Sequence, residues 1–331
     1  MSVTMKMIAK EIGVSVATIS HVINGTKKVS EETRRLVLEA IERNNYVPDM
    51  TAKNLRRKKT KAAALVISSY PDNYVTKLIH GVGIRARELG YSLMLVNTSE
   101  NEAYEMEALR LLRANMVDGI ILSPATNRID YLADLQRHLP VVLVNRYDPR
   151  FEDIPRVTAD DFQAGYDATT HLIQHGHRHI GVIYSVPHVT TTENRLRGYR
   201  EAILRYGLPF KESWIVRGFG TTEGGRLAVK TLLQQSPEIT AIFVLSDHMI
   251  IGVVQELRDQ SIRIPDDIAL IGFGDFEAAA IIDPPLTNVS LQPDTIGRIA
   301  FDILANKIVN PEYHKHVSLP TSLIIRKSCG C

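Results

Sequence analysis

Eight short apolar runs recur along the chain from residue 62 onward: "AAALVIS", "YSLMLVN", "DGIILSP" and "PVVLVNR", then "IGVIYS", "SWIVRGF", "AIFVLSD" and "IALIGFGD". Amphipathic helical stretches separate them. Strands that are apolar almost throughout are buried on both faces, and such strands run parallel, joined by helical crossovers. Four early and four late runs fit two doubly wound α/β subdomains better than one very wide sheet. The chain is expected to cross between them near Asp160 and again near Leu291, and to return through "HVSLPTSLIIR". That gives an N-subdomain of about 62–160 and 292–320, and a C-subdomain of about 161–291 and 321–331.

Ligands of such sheets sit beyond the carboxyl ends of the strands. The residues just past the apolar runs are Ser68 to Tyr74, Ser123, Asn145 with Arg146, Ser185, Phe219, Ser246 with Asp247, and Asp275, with Arg195 in the helix after Ser185. Hydroxyls, amides, Arg and Asp together suit a sugar or a sugar acid: the planar guanidinium forks onto a carboxylate, and Asp or Asn accepts from hydroxyls. Ser and Asn at strand ends also form turns, and Asp247 at the head of a helix is also placed to act as an N-cap.

The first 61 residues follow another plan. They carry 13 Lys and Arg against 6 Asp and Glu, a balance of +7, and leave the rest of the 331-residue chain at −5. A basic head before an acidic body suits a polyanion-binding module, since neutralising phosphates dominates affinity for nucleic acid. Met5, Ile8, Ala9 and Ile12 repeat at i, i+3, i+4, i+7, which predicts a first helix ending at Gly13. Ser15 is a good N-cap for a second, with Ile19, Val22 and Ile23 inward and Val16, Ala17, Ser20 and His21 outward. A third opens at Ser30, places Glu31 and Glu32 in its first turn, and is expected to bury Leu36, Val37, Ala40 and Ile41. Two short helices around a Gly turn, the second with small outward residues, form the helix-turn-helix plan for the major groove.

Pro48 ends that bundle. Asp49 to Arg57 then reads as a helix too short to hold itself together in water. Its one large apolar residue, Leu55, lies in a charged segment with no core to enter. The segment is either a solvated linker or a hinge that folds on DNA, with Leu55 wedged between base steps in the minor groove. The expected division is therefore a head at 1–48, a hinge at 49–61 and a core at 62–331.

"IAKEIGVSVATISHVING" and "VSEETRRLVLEAIERNNYVPDMTAKNL" resemble the head of the LacI/GalR family of bacterial transcription regulators almost position for position. The core resembles that family's periplasmic-binding-protein-like domain at "GVGIRARELGYSLML", "RLRGYREAI", "FVLSDHMIIGVVQEL" and "IPDDIALIGFGDFE". The resemblance implies that Val16, Ala17 and His21 meet base edges. Thr4, Ser15, Thr18, Ser20 and Asn24 would meet phosphates or orient the helix. Ala52 and Leu55 would act in the hinge, Leu55 as the minor-groove lever.

In the core the resemblance implies effector contacts at Asn73, Tyr74, Ser123, Arg146, Arg195, Ser246 and the "GFGD" turn with Asp275, and the strand-end positions Phe219 and Asp247 complete the candidates. Arg195 precedes Gly198 by three residues, as the family's ligand-gripping Arg precedes its Gly. There are departures: Asp49 and Ser246 stand where Asn is common, Gly274 where a ligand-binding Asp is common, and an aromatic common at Gly220 is displaced to Phe219. The "GFGDFE" turn looks like that of gluconate-type repressors and, with two Arg nearby, tilts the expected effector toward a sugar acid.

The implied protein is a homodimeric repressor on a near-palindromic double-stranded operator, switched by a ligand that changes the angle between subdomains. One alternative is a regulator of the same fold controlled by a phosphoprotein partner; another is a sugar-modifying enzyme with a DNA-binding head. "GFGTTEGG" misplaces its third Gly for a dinucleotide fingerprint and no G-x-x-x-x-G-K-[ST] loop occurs, so neither nucleotide chemistry nor a cofactor is expected.

No apolar run nears the roughly 18 residues of a membrane span. "MSVTMKMIAKE" is too charged for a signal peptide, so a cytoplasmic location is expected. His171 and His175 lie at i, i+4 with His177 and His179 beyond, but no zincin Glu accompanies them, and they suit the negative end of a helix. "HKH" at 314–316 offers two ligands only. Cys329 and Cys331, in "SCGC", suit a reducing compartment as a tail without further ligands beside it, so no metal is expected.

Overall fold

The computed structural model describes residues 3–46, 60–68, 73–114 and 116–331, with the Asn24 side chain excepted. Two compact units divide between Thr60 and Lys61. In the first, Thr4, Ser15 and Ser30 cap α1 (Met5–Glu11), α2 (Val16–Asn24) and α3 (Glu31–Arg43), each side-chain oxygen accepting from an N–H in the first turn. Ile8, Ala9, Ile19, Val37 and Ala40 form the core between them. Leu36, expected inside, is 40% exposed and lies on the outer face of α3. Apart from Thr60 and Lys61, the hinge segment, with Ala52 and Leu55, falls outside the described residues.

The second unit holds two six-stranded sheets. β1 (Ala62–Ile67), β2 (Ser92–Asn97), β3 (Ile120–Leu122), β4 (Val141–Val144), β5 (Arg156–Ala159) and β11 (His316–Leu319) lie in the order β11-β5-β4-β3-β1-β2, all parallel. β6 (Ile180–Tyr184), β7 (Ile215–Arg217), β8 (Ala241–Val244), β9 (Ala269–Phe273), β10 (Thr287–Ser290) and β12 (Ser322–Ile324) lie in the order β12-β10-β9-β8-β6-β7, parallel except for β12. α4 (Asn73–Glu88) packs on α11 (Pro293–Val309), α7 (Asp161–Gln174) on α8 (Thr190–Arg205), and α9 (Thr222–Gln235) on α10 (Asp247–Asp259). α5 (Glu102–Arg113) and the single turn α6 (Leu132–Leu135) complete the first layer. Every residue of β3, β4, β8 and β9 is buried, as strands covered on both faces require.

Hydrophobicity alone misleads at the edges. β2 is an edge strand that leaves Leu95 50% exposed, and β7 is likewise only partly covered. β5 ("RVTA") and β10 ("TNVS") are absent from the apolar runs, because two of the four residues of β5 and three of the four of β10 are polar. In β10 the segment after β12 satisfies Thr287: Thr287 N donates to Ser328 Oγ at 2.8 Å, and Arg326 N to Thr287 Oγ1 at 2.8 Å.

Candidate functional site

In the head, Gly13 takes a φ of +68° and turns the chain from α1 into α2. Ser15 Oγ accepts from Thr18 N at 3.0 Å and lies 2.8 Å from Thr18 Oγ1, so the N-terminus of α2 is held by both side chains. Val16 and Ala17 then stand exposed on its first turn, while Thr18, Ser20 and His21 are half-buried. His21 Nδ1 bonds Thr26 Oγ1 at 2.9 Å, which fixes the ring on the loop beyond α2. Thr4 Oγ1 accepts from Met7 N at 3.3 Å, and Asn24 is the last residue of α2.

In the core, a cavity of about 140 Å³ lies at the carboxyl ends of the strands of both sheets. Tyr74, Glu100, Asn145 and Arg146 line it from the first sheet's side. Ser185, Val186, Thr191, Arg195, Phe219, Gly220, Leu245, Ser246, Asp247, His248, Phe273, Gly274 and Leu291 line it from the second. Hydrogen bonds join the subdomains, among them Asn73 Nδ2 to Asp275 O at 2.6 Å, Tyr147 N to Thr190 Oγ1 at 3.1 Å, and Thr190 N to Asn127 Oδ1 at 3.0 Å.

Arg195 owes its place to two glycines. A Cβ on Gly198 would lie 2.1 Å from Phe162 O, and one on Gly165 2.2 Å from Arg195 O, so only glycines let α8 approach α7 this closely. The approach brings Arg195 Nε to Asp161 Oδ1 at 2.7 Å and its Nη1 to Leu245 O at 3.1 Å. The guanidinium also stacks 3.5 Å above the Phe273 ring centroid. Burial pushes the Asp161 carboxyl above the usual carboxylate range, even against the neighbouring Arg195 charge.

Arg146 is also engaged within the chain. Its Nη1 and Nη2 donate to Glu100 Oε2 and Oε1 at 2.6 and 2.8 Å, and Nη1 also reaches Ser68 Oγ at 3.1 Å. Sequence reasoning reserved both Arg residues for a ligand carboxylate, and the structure gives each an internal carboxylate instead. Two guanidiniums therefore face Glu100 and Asp247 on the wall and Asp161 behind it, which leaves no positive surplus among these groups. Burial also pushes Asp247 upward, opposed by His248 and by the N–H groups of His248 and Asn73.

Of the nine core candidates, Tyr74, Arg146, Arg195, Phe219, Ser246 and Asp247 line the cavity, and three do not. Ser123 is buried beneath it at the end of β3. Asn73 joins the subdomains. Asp275 turns outward to accept from Arg326 Nη1 at 2.9 Å, so it does not replace the carboxylate missing at Gly274. Asp247 is not the N-cap residue of α10: Ser246 holds that position, and Asp247 Oδ1 accepts from His248 N at 2.9 Å. Glu100 and Thr191 were missed; Glu100 sits at φ +60° in a turn after β2, with no local signal except its place past a strand end. Gly225 of "GFGTTEGG" is a packing residue, since a Cβ there would lie 2.2 Å from Met249 O.

The segment after β12 is no loose tail. Ser328 and Cys329 are fully buried, Cys329 in the core under α7. His171 and His175, set aside as helix-end residues, come against Cys329 and Cys331, with His171, His175 and Cys331 forming a group whose ligand atoms lie within 4.8 Å of one another. Among the described residues no helix is long and apolar enough to cross a membrane.

Comparison with known proteins accords with both units. Residues 4–49 match the bacterial regulatory proteins of the lacI family, and residues 60–327 match the periplasmic binding proteins and sugar binding domain of the LacI family. The chain is 33% identical over 329 residues to an HTH-type transcriptional repressor PurR of Pasteurella multocida, covering 98% of each. It is 33% identical to catabolite control protein A of Priestia megaterium, covering 99% of each. Among solved structures, a transcriptional regulator CelR–cellobiose complex is 30% identical with a TM-score of 0.76, covering 98% of this chain and 99% of that one. A lac repressor dimer bound to operator shares the fold at a TM-score of 0.89 and 22% identity, covering 99% of each. The chain belongs to the LacI family of bacterial regulatory proteins, as a DNA-binding transcription regulator with a two-subdomain core.

Proposed function

We propose that the protein is a cytoplasmic, homodimeric repressor whose operator affinity is set by a neutral sugar bound between the core subdomains. Val16, Ala17 and His21 read base edges from the exposed first turns of α2. With the Thr26 hydroxyl donating to Nδ1, His21 Nε2 carries the proton and donates to a guanine acceptor, while Ala17 offers an apolar contact to a thymine methyl. Thr4, Ser15, Thr18, Ser20 and Asn24 hold phosphates or the helix, with Ala52 and Leu55 acting in the minor groove. A dimer supplies two recognition helices for a near-palindromic operator.

The pairing of both cavity arginines with internal carboxylates carries the choice of ligand class. An anionic sugar acid meets no uncompensated positive charge there, whereas a neutral polyol donates hydroxyls to the buried Asp247 and to Asn145, and stacks on Phe219 and Phe273. The complex of the CelR relative with cellobiose supports a sugar over an acid. Membership in a family of regulators displaces the sugar-modifying enzyme as an alternative.

Thermal unfolding of the full chain against neutral sugars, sugar acids, sugar phosphates and purines tests the proposal. A ligand at 100 times its Kd adds about 2.7 kcal/mol to stability, a visible shift. A shift with a neutral sugar is expected. A shift confined to acids or phosphates would overturn the ligand class, and none across the panel would favour control by a protein partner.

A further inference from the structure

Two histidines one helical turn apart, at the end of α7, stand against two cysteines from the segment after β12. His171 Nε2 lies 3.3 Å from both Cys329 Sγ and Cys331 Sγ, His175 Nε2 lies 3.1 Å from Cys331 Sγ, and the two sulfurs are 3.0 Å apart. Residues i and i+4 share a helix face, so α7 presents both imidazoles to one point. We propose that these four side chains form a Cys2His2 site for a thiophilic divalent cation of the Zn2+ class, which staples the segment after β12 to α7.

Hydrogen bonds around the four side chains support the donor set. His175 Nδ1 lies 2.8 Å from His171 O, so it donates there and leaves Nε2 as a bare lone pair directed at Cys331. Zinc-bound histidines are oriented in the same way, by a carbonyl on the other ring nitrogen. Thr287 Oγ1 donates to Cys329 Sγ at 3.1 Å and so favours its thiolate.

The spacing fits at four of the six edges of a tetrahedron. Tetrahedral Zn2+, with bonds of about 2.3 Å to sulfur and 2.0 Å to nitrogen, needs S···N edges of about 3.5 Å and an S···S edge of about 3.8 Å. The three S···N distances and the S···S distance above are shorter, so an ion would part those donors by a few tenths of an ångström at each S···N edge and by about 0.8 Å between the sulfurs; Cys329 Sγ stands outside the 4.8 Å group formed by the other three donor atoms, so His175 must also move toward it to close the tetrahedron. His175 and Cys331 are exposed and can yield. Thiolate and imidazole donors without a carboxylate select zinc over magnesium or calcium. The site lies on α7 at the end opposite Asp161, about 20 Å along the helix from the ligand cleft.

Titration of the reduced full chain with Co2+, followed by displacement with Zn2+, tests the site. The expected result is one Co2+ per chain with the intense visible bands of tetrahedral geometry and a thiolate-to-metal charge-transfer band, both abolished by Zn2+. Cys331→Ser and His175→Ala, both at exposed positions, should each weaken binding at least by the 10–100-fold that loss of an outer-shell partner costs. His314→Ala should leave it unchanged. Weak octahedral bands, or binding indifferent to both variants, would overturn the site. So would a Cys329–Cys331 disulfide in protein prepared under reducing conditions with Zn2+.

Discussion

Arg195→Ala should damage the core more than the loss of one exposed cation would, because it strands the carboxylate of Asp161. The two side chains are 14% and 5% exposed, so water gives little screening, and breaking a buried pair typically costs about 3–5 kcal/mol. Asp161 lies in the first turn of α7, where the helix N-terminus returns up to about 1 kcal/mol to a carboxylate. The expected loss is therefore about 2–4 kcal/mol in chemical denaturation of the full chain, read through the core transition. Adding Asp161→Asn removes the stranded charge, so the double variant should be more stable than Arg195→Ala alone by about 1–3 kcal/mol. The pH dependence follows from the sign of the shift. Asp161 is held above its ordinary 3.8, so the unfolded chain releases this proton first, and the carboxyl's contribution to stability falls as pH rises from about 4 through the raised value. Without Arg195 that fall should steepen, and Arg195→Ala should recover toward the parent as pH is lowered. A variant within about 0.5 kcal/mol of the parent, with no recovery on adding Asp161→Asn, would refute the pairing.

Glu100→Gln should leave Arg146 with a neutral partner and cost about 1.5–3 kcal/mol of stability. It should also raise affinity for a sugar acid relative to the matching neutral sugar; calorimetry showing an unchanged ratio would remove Glu100 as the charge filter. Gly198→Ala puts a Cβ 2.1 Å from Phe162 O, where ordinary contact needs over 3 Å, so α7 and α8 must part by about 1 Å at about 1–3 kcal/mol. Ligand affinity should drop with Arg195 displaced while operator binding persists, and a parent-like unfolding midpoint would contradict the close approach. His21→Ala should relax base choice at one position per half-site by about 1–3 kcal/mol, read from a randomised operator library. An unchanged profile would take His21 out of the readout.

What the sequence disclosed was local. Ser15 before an apolar 3.6-residue repeat states its reason within a few positions, and the cap is found. Runs such as "VVLV" show a doubly covered strand because every side chain meets a helix. The unread features join residues distant along the chain. Glu100 and Arg146 are 46 residues apart, and His171 and Cys331 are 160 apart, so neither neighbourhood hints at the other. The same distance hid β10, whose Thr287 looks like a loop residue until Ser328 and Arg326 supply its partners. The charge balance of the cavity was misjudged for this reason: arginines were visible at strand ends, and their carboxylates were not.

The central claim is that a ligand in the cleft controls DNA binding by the head. Fluorescence anisotropy of a labelled operator at fixed salt, titrated with the full chain with and without the sugar found by thermal unfolding, tests it most directly. The account predicts a change in operator affinity of about 5–150-fold, corresponding to about 1–3 kcal/mol of coupling, with nonspecific DNA little affected and Arg195→Ala abolishing the response. Operator affinity that stays constant while the sugar demonstrably occupies the cleft would contradict it.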